Sequence, residues 1–80
     1  MWIYVVELYD SGIERAYSTP GGARVALWEL YLDLVDVDVR EKVNTLTGKT
    51  YEQEDRESLE DYGYIDCFGG VTETWLEVGE

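Results

Sequence analysis

The chain has 80 residues, of which 18 are Asp or Glu and six are Lys or Arg, so its formal net charge is −12. A surface this negative repels DNA, RNA and anionic membranes, and we therefore expect neither direct nucleic-acid binding nor membrane binding. A hydrophobic share of 45%, with three Trp and seven Tyr, excludes a disordered acidic tail. The length predicts one small domain, residues 1–80, that buries about 60–65% of the surface its unfolded chain exposes.

Cysteine content and hydropathy predict the compartment. Cys67 is the one cysteine of the sequence, so no intrachain disulfide can form and a secreted mini-protein is not expected. The N-terminus lacks the basic region of a signal peptide, and no apolar run reaches the roughly 20 residues that span a bilayer. There is no histidine, the commonest metal ligand. We expect a soluble cytoplasmic protein without a metal or cofactor.

The first predicted element is a β-hairpin. Residues 2–9 are rich in β-branched and aromatic types, and Asp10-Ser11-Gly12 is typical of a turn. Residues 13–17 then alternate apolar with polar types. We therefore expect two antiparallel strands joined by this turn.

A central helix is predicted from Pro20 to about Leu34 or Val35. A hydroxyl N-cap at Ser18 or Thr19 is followed by Pro at the first helical position, where its missing N–H is not needed. Apolar residues cover most of the circumference, so other helices or another chain must cover a second side. The first apolar face comprises Ala23, Leu27, Leu30 and Leu34; the second comprises Val25, Trp28, Leu32 and Val35.

Two further helices are predicted before the C-terminal strands. We expect a boundary at residues 36–38, although the alternation over residues 35–39 is also typical of a short strand. Asp38 and Glu41 fit a capping box, followed by a helix that ends near Gly48. The apolar residues of that helix would be Val39, Val43 and Leu46.

A second capping box, Thr50 with Gln53, predicts an acidic helix through residues 52–61. Leu59 and Tyr62 are expected to face the core, and Gly63 to end the helix.

The C-terminal part predicts another hairpin. Its strands would be residues 64–68 and 71–78, with Gly69-Gly70 as a two-residue turn. In this register Phe68 lies opposite Val71, Asp66 opposite Glu73 and Tyr64 opposite Trp75. The order of elements predicts an α+β fold, in which an antiparallel sheet from the N- and C-terminal hairpins packs on the central helix, with one or two further short helices.

No pattern predicts catalysis. A segment that resembles a P-loop lacks its first glycine, and one that resembles a calcium loop has Arg40 at a ligand position. Cys67 has no His to activate it and is expected to be a small core residue. Asp66 and Glu73 would lie about 5 Å apart, as in a retaining glycosidase. However, like charges directly opposite each other destabilise a sheet, and so small a domain has little room for a sugar cleft. We therefore predict that the protein is not an enzyme.

The negative charge is concentrated in the C-terminal half. Residues 1–40 carry seven acids and three bases, net −4, and residues 41–80 carry eleven and three, net −8. As a helix, residues 52–61 would span about 15 Å, with about one net charge per 3 Å. A single nucleic-acid strand carries about one charge per 3.4 Å. This density is compatible with nucleic-acid mimicry; the alternative is a solvated helix face, supported by ion pairs of Arg56 with Glu52 and Glu60.

The first half of the chain also carries a resemblance. A Tyr-Val-Val strand, the turn at Asp10-Ser11-Gly12 and Ala16-Tyr17-Ser18-Thr19 leading into an Ala-rich helix are similar to small phage proteins. Together with the acidity, the chain resembles phage-encoded inhibitors such as anti-CRISPR and anti-restriction DNA mimics. The resemblance covers residues 2–34 and includes no diagnostic motif. It implies an inhibitor, in the host cell cytoplasm, that occupies a basic nucleic-acid-binding surface.

We predict an acidic protein that binds the basic surface of a partner protein, one that itself binds nucleic acid. Carboxylates would supply long-range attraction and aromatic side chains the short-range contacts. The predicted contact residues are Glu52, Glu54, Asp55, Glu57, Glu60, Asp61, Tyr62 and Tyr64. The alternative is a structural or oligomerisation module whose acidity serves only solubility. It would form a homodimer through the helix face of Val25, Trp28, Leu32 and Val35.

Overall fold

A computed structural model describes residues 1–12 and 14–77. The elements in chain order are β1 (Trp2–Leu8), β2 (Glu14–Tyr17), α1 (Pro20–Leu34), α2 (Val37–Arg40), α3 (Tyr51–Tyr62), β3 (Tyr64–Ile65) and β4 (Gly69–Trp75). In this part of the chain the strands form one four-stranded antiparallel sheet in the order β2-β1-β4-β3. The predicted α+β class is confirmed. None of the described helices is long and apolar enough to cross a membrane.

β1 lies in the middle of the sheet. Its Val6 pairs with Arg15 of β2 on one side and with Val71 of β4 on the other. Because side chains alternate along a strand, Val6 and Leu8 point to the same face, and both are buried against the helices. The N-terminal hairpin is confirmed for the described residues; Ile13, which belongs to the predicted second strand, lies outside them.

α1 covers this face of the sheet. The side chain of Thr19 accepts a hydrogen bond of 3.0 Å from the backbone N–H of Gly22, so the predicted N-cap is confirmed. Ala23, Leu27 and Tyr31, four residues apart, are the buried residues of the helix. The prediction that Leu34 belongs to the buried face is wrong. It is 57% exposed and lines an open surface cavity with Leu8, Asp10 and Ser11, at the turn of the N-terminal hairpin.

The core is small and lies between the sheet and helices α1 and α3. All its buried side chains are apolar or aromatic, and no buried side-chain nitrogen or oxygen atom among the described residues lacks a hydrogen-bond partner. The core consists of Val6, Leu8, Ala23, Leu27, Tyr31, Leu59 and Ile65.

The second helix is much shorter than predicted. α2 ends at Arg40, and the predicted continuation through Val43 and Leu46 is wrong. Instead, Val43 pairs with Thr50 across a loop. Within that loop the Asn44 side chain accepts a hydrogen bond of 3.0 Å from the backbone N–H of Leu46, whose own side chain is 93% exposed. Such a side-chain to backbone bond stabilises a turn and competes with a helix.

The start of α2 also differs from the prediction. The helix begins at Val37 with Asp36 as its N-cap, so Asp38 lies in the first turn and does not cap it. Asp36 makes no side-chain capping bond. The break between α1 and α2 therefore falls at the N-terminal edge of the predicted boundary.

α3 begins and ends on the predicted signals. The Gln53 backbone N–H donates to the Thr50 hydroxyl at 3.2 Å, and the Thr50 backbone N–H donates to the Gln53 side chain at 3.0 Å. Gly63 ends the helix with a φ of +79°, a left-handed conformation that favours glycine. Leu59 is buried as predicted, but Tyr62 is 72% exposed and does not face the core. Tyr62 lies in the last turn, where its ring meets that of Tyr64 at 6.0 Å.

The predicted register of the C-terminal hairpin is wrong. Tyr64 pairs with Gly70 and Ile65 with Gly69, so both glycines lie in β4 and residues 66–68 form the turn. A Cβ atom on Gly69 would lie 2.5 Å from the backbone oxygen of Glu7. Gly69 is thus required by the close approach of β1, and not by a turn.

Three expectations that depended on this register fail with it. Glu73 pairs with Tyr4 and not with Asp66, so the carboxylate pair does not form. Trp75 pairs with Trp2 and not with Tyr64. Cys67 is an exposed turn residue with a φ of +61° and is not part of the core. Val78, the predicted end of the second strand, lies outside the described residues.

Candidate partner-binding cleft

Three of the six carboxylates predicted to contact a partner form ion pairs within the chain. The pairs are Glu52 with Arg40, Glu57 with Lys49 at 2.9 Å, and Glu60 with Arg56 at 3.3 Å. The hydrogen bond to Glu57 raises the pKa of Lys49, which keeps the lysine charged. These three carboxylates therefore contribute less to an external field than their number in the sequence indicates.

The other three carboxylates form no ion pair with a Lys or Arg among the described residues. Glu54 accepts hydrogen bonds from the Asn44 side chain, at 3.3 Å, and from the Thr47 hydroxyl. Asp55 accepts one of 2.5 Å from the hydroxyl of Tyr31. Asp61 is exposed at the end of α3. Because Asn44, Thr47 and Tyr31 are neutral, these hydrogen bonds do not compensate the negative charges of the carboxylates.

The bond between Tyr31 and Asp55 connects the core to the acidic surface. Burial raises the pKa of Asp55, the bond from Tyr31 lowers it, and the charges of Glu54 and Asp66 raise it again, so that the net shift is upward. Burial also raises the pKa of Tyr31, as do the hydrogen bond and the charge of Asp55. The proton therefore stays on Tyr31, which is the donor. Glu54 and Asp66 act on Asp55 because the three carboxylates line one cleft.

These carboxylates line a cleft of about 630 Å³. The cleft lies between the C-terminal end of α1, α2, the start of α3 and the turn between β3 and β4. Its acidic residues are Glu54, Asp55 and Asp66, and its apolar and aromatic ones include Val35, Val39, Tyr51 and Phe68. No Lys or Arg is among the described residues that line it. We refer to it as the acidic cleft.

The arrangement of the acidic cleft suits a large organic cation. Among the residues described, no three Asp, Glu or Cys side chains are arranged to hold one metal ion. A Lys or Arg side chain differs from a metal ion because its apolar stem can lie along Val35, Val39 and similar walls while its charge reaches a carboxylate. An Arg side chain can also stack on an aromatic ring such as Tyr51 or Phe68.

Only two of the eight predicted contact residues, Glu54 and Asp55, line the acidic cleft. Glu52, Glu57 and Glu60 are in ion pairs, and Asp61, Tyr62 and Tyr64 do not line the acidic cleft. The predicted contact residues did not include Tyr31, Tyr51, Asp66 or Phe68, which also line the cleft. For Tyr31 a signal exists, because it lies four residues after Leu27 on the buried face of α1.

The predicted dimer face of α1 is not a continuous exposed surface. Val25 and Leu32 are exposed. Trp28 is half-buried, stacks on Tyr31 at 4.9 Å and lies under the guanidinium of Arg56 at 5.2 Å. Val35 is half-buried and lines the acidic cleft. The second side of α1 is thus covered in part by α3 of the same chain.

No protein-family model matches the chain, and searches of curated proteins and of solved structures found no similar protein. The resemblance to phage-encoded inhibitors therefore stays a prediction. The function has to be argued from the cleft and from the charge around it.

Proposed function

We propose that this protein binds the basic, nucleic-acid-binding surface of a partner protein and inhibits the partner by occupying that surface. The observation that carries the proposal is the acidic cleft. In it, Glu54, Asp55 and Asp66 lie beside apolar side chains and form no ion pair with a Lys or Arg of the described residues. Because the sequence resembles phage-encoded inhibitors, we propose that the protein is a phage anti-defence inhibitor that acts by DNA mimicry.

We expect an Arg or Lys side chain of the partner to bind in the acidic cleft. Burial raises the pKa of Asp55, which means that its ionised form is poorly stabilised in the free protein. A cation in the cleft would restore that stabilisation. The Tyr31 hydroxyl bonds to one oxygen of Asp55, Oδ2, and holds the carboxylate in place. The other oxygen has no hydrogen-bond donor among the described residues and is left for the partner.

The negative charge around the acidic cleft supports a partner that binds nucleic acid. Asp36, Asp38 and Glu41 are exposed on and beside α2, which borders the cleft. Proteins that bind nucleic acid present clusters of Lys and Arg to the phosphates. An acidic surface steers such a cluster towards it, raises the association rate and loses that effect as salt increases.

The first test separates the acidic cleft from net charge. The cleft variant is Glu54→Gln, Asp55→Asn and Asp66→Asn; the control is Glu14→Gln, Glu29→Gln and Asp33→Asn, which are exposed and do not line the cleft. Both remove three negative charges from the formal −12. The probe is a hexa-arginine peptide, titrated by calorimetry at low and high salt. We expect the cleft variant to lose about tenfold in affinity, or 1.4 kcal/mol, and the control to lose much less.

Two outcomes would contradict the proposal. An equal loss in both variants would show that only the net charge matters, and binding that does not weaken with salt would remove the electrostatic attraction. The nature of the partner is tested by capture from a host lysate. A captured protein that duplex DNA releases supports competition with nucleic acid, whereas one that DNA leaves in place contradicts it.

A further inference from the structure

Among the described residues, nothing pairs with the outer edge of β4 over most of its length. β3 pairs only with the first two residues of β4, Gly69 and Gly70. Val71 donates its backbone N–H to the oxygen of Gly63 at 2.8 Å. No described strand lies beside residues 72–75 on that side. An edge of this kind presents unpaired backbone N–H and C=O groups to another strand.

The hydrogen bonds at the chain terminus show which groups point outward. Met1 and Leu76 exchange two backbone bonds, of 3.0 and 2.8 Å. Bonded and non-bonded pairs alternate along an antiparallel ladder. Thr74, two residues before Leu76, therefore bonds to β1. The N–H and C=O groups of Glu73 and Trp75 point away from β1, towards the open edge.

The same end of the sheet exposes a group of large apolar side chains. β2 ends at Tyr17, opposite Tyr4, so β1 and β4 continue beyond it as a two-stranded ribbon. Trp2 and Trp75 are 53% and 57% exposed, and their rings meet edge to face at 5.4 Å. Trp is among the residues that contribute most to protein interfaces. Residues 71–77 contain neither Lys nor Pro, the residues with which natural proteins protect such edges.

The negative charge of the protein favours a basic strand at the outer edge of β4. The side chain of Glu73 lies on the same face of the sheet as that of Trp75, two residues later, and Glu77 follows. Two copies of a chain with a formal charge of −12 repel each other. A strand that carries Lys or Arg is attracted, and its cations can also lie over the two Trp rings.

We propose that the open edge of β4 binds an extended, basic segment of a partner protein as a fifth strand of the sheet. The backbone groups of Glu73 and Trp75 would form the new ladder, and Glu73 with the two Trp rings would select basic side chains. Addition of a strand to a sheet edge is a common mode of peptide recognition. The inference rests on the proposed function for the basic character of the partner, but it uses a different surface.

The test uses a six-residue peptide that alternates Lys or Arg with Val, and measures amide hydrogen exchange by NMR. We expect the peptide to slow exchange at Glu73 and Trp75, whose N–H groups it would bond. Exchange at Thr72 and Thr74 should change little, since β1 already bonds them. The same peptide with an N-methyl group at every residue has no backbone N–H to donate and should not bind. Unchanged exchange at Glu73 and Trp75 would overturn the inference.

A charge reversal tests the surface itself. Glu73→Lys keeps the strand, and we expect it to weaken peptide binding about tenfold. Glu14→Lys, an equal charge change on β2, is the control and should have a smaller effect. The triple variant of the acidic cleft should still bind the peptide, so this inference and the proposed function fail independently. If Glu73 and Trp75 become protected as protein concentration rises without peptide, and sedimentation shows a dimer, the occupant is a second copy and the inference is wrong.

Discussion

Tyr31 joins the hydrophobic core to the acidic cleft through a single side chain. Its ring is buried, stacks on Trp28 at 4.9 Å and meets Phe68 edge to face at 5.6 Å. Its hydroxyl donates to Asp55 at 2.5 Å. Packing thus fixes the ring, and the ring fixes the carboxylate. A half-buried charge held in this way makes the stability of the protein depend on pH.

We expect Asp55 to lower the stability of the folded protein at neutral pH. Burial raises its folded-state pKa above the ordinary value of 3.8. A raised pKa means that the folded state holds the proton more tightly than the unfolded state. The stabilisation that comes from this tighter proton binding is therefore full below pH 3.8. It is lost as the pH rises through the folded-state pKa of Asp55.

The variant Asp55→Asn cannot titrate and isolates this effect. Urea unfolding of both proteins between pH 7 and pH 4 should show the wild type gaining stability relative to the variant as the pH falls. Because Asp55 is partly exposed, solvent screening reduces the size of this gain. A difference that stays constant, or that changes in the opposite direction, would contradict the assignment.

At the scale of elements, Gly69 determines how β1, β4 and α1 pack. A Cβ atom there would lie 2.5 Å from the Glu7 backbone oxygen and 3.2 Å from the Leu27 side chain. We expect Gly69→Ala to cost about 1–3 kcal/mol in the free energy of unfolding, measured with urea. Gly70→Ala should cost less, because its nearest contact is the Tyr9 hydroxyl at 2.9 Å, the end of a flexible side chain.

Gly21→Ala is the control for these two variants. It lies in the first turn of α1, and a Cβ atom there would have no neighbour within 4 Å. We expect it to be neutral or to stabilise the protein by up to about 1 kcal/mol, the difference in helix propensity. If Gly69→Ala costs no more than Gly70→Ala, the close approach of β1 does not determine the register.

The elements that could be predicted are those whose signals are local. Thr50 with Gln53, and Gly63, determine both ends of α3 within a few residues of sequence. Gly69-Gly70 has the sequence of a tight turn, but its place in β4 depends on β1, more than sixty residues earlier in the chain. The loop after Arg40 was missed because the apolar spacing of its residues also fits a helix.

The acidic cleft could be predicted only in part, because some of its features depend on residues that are distant in the sequence. The sequence identifies the concentration of acids in residues 52–61, but not which of them stay without a cation. That depends on Arg40 and Lys49, which lie outside the segment and pair with Glu52 and Glu57. Asp66 reaches the acidic cleft only because the β3–β4 turn falls at residues 66–68. Glu54 and Asp55 follow from the segment alone.

For the molecule as a whole, repulsion among like charges should outweigh the ion pairs. Only three ion pairs form among the described residues, and two of them are exposed. Exposed pairs stabilise a protein by about 0.2–1 kcal/mol each. Against them stands a formal charge of −12 on a molecule of 54 × 23 × 16 Å. Two like charges 10 Å apart in water repel by about 0.4 kcal/mol, and many such pairs add together.

Salt should therefore stabilise this protein. The screening length falls to about 10 Å at 0.1 M salt, well below the long axis, so added salt reduces the repulsion. We expect the midpoint of urea unfolding to rise between low and high NaCl, and the free energy of unfolding to increase by about 1–2 kcal/mol. The slope of the free energy of unfolding against urea concentration should not change. The triple variant at Glu14, Glu29 and Asp33 carries less charge and should gain less. A midpoint that falls as salt is added would show instead that the ion pairs of Arg40, Lys49 and Arg56 dominate.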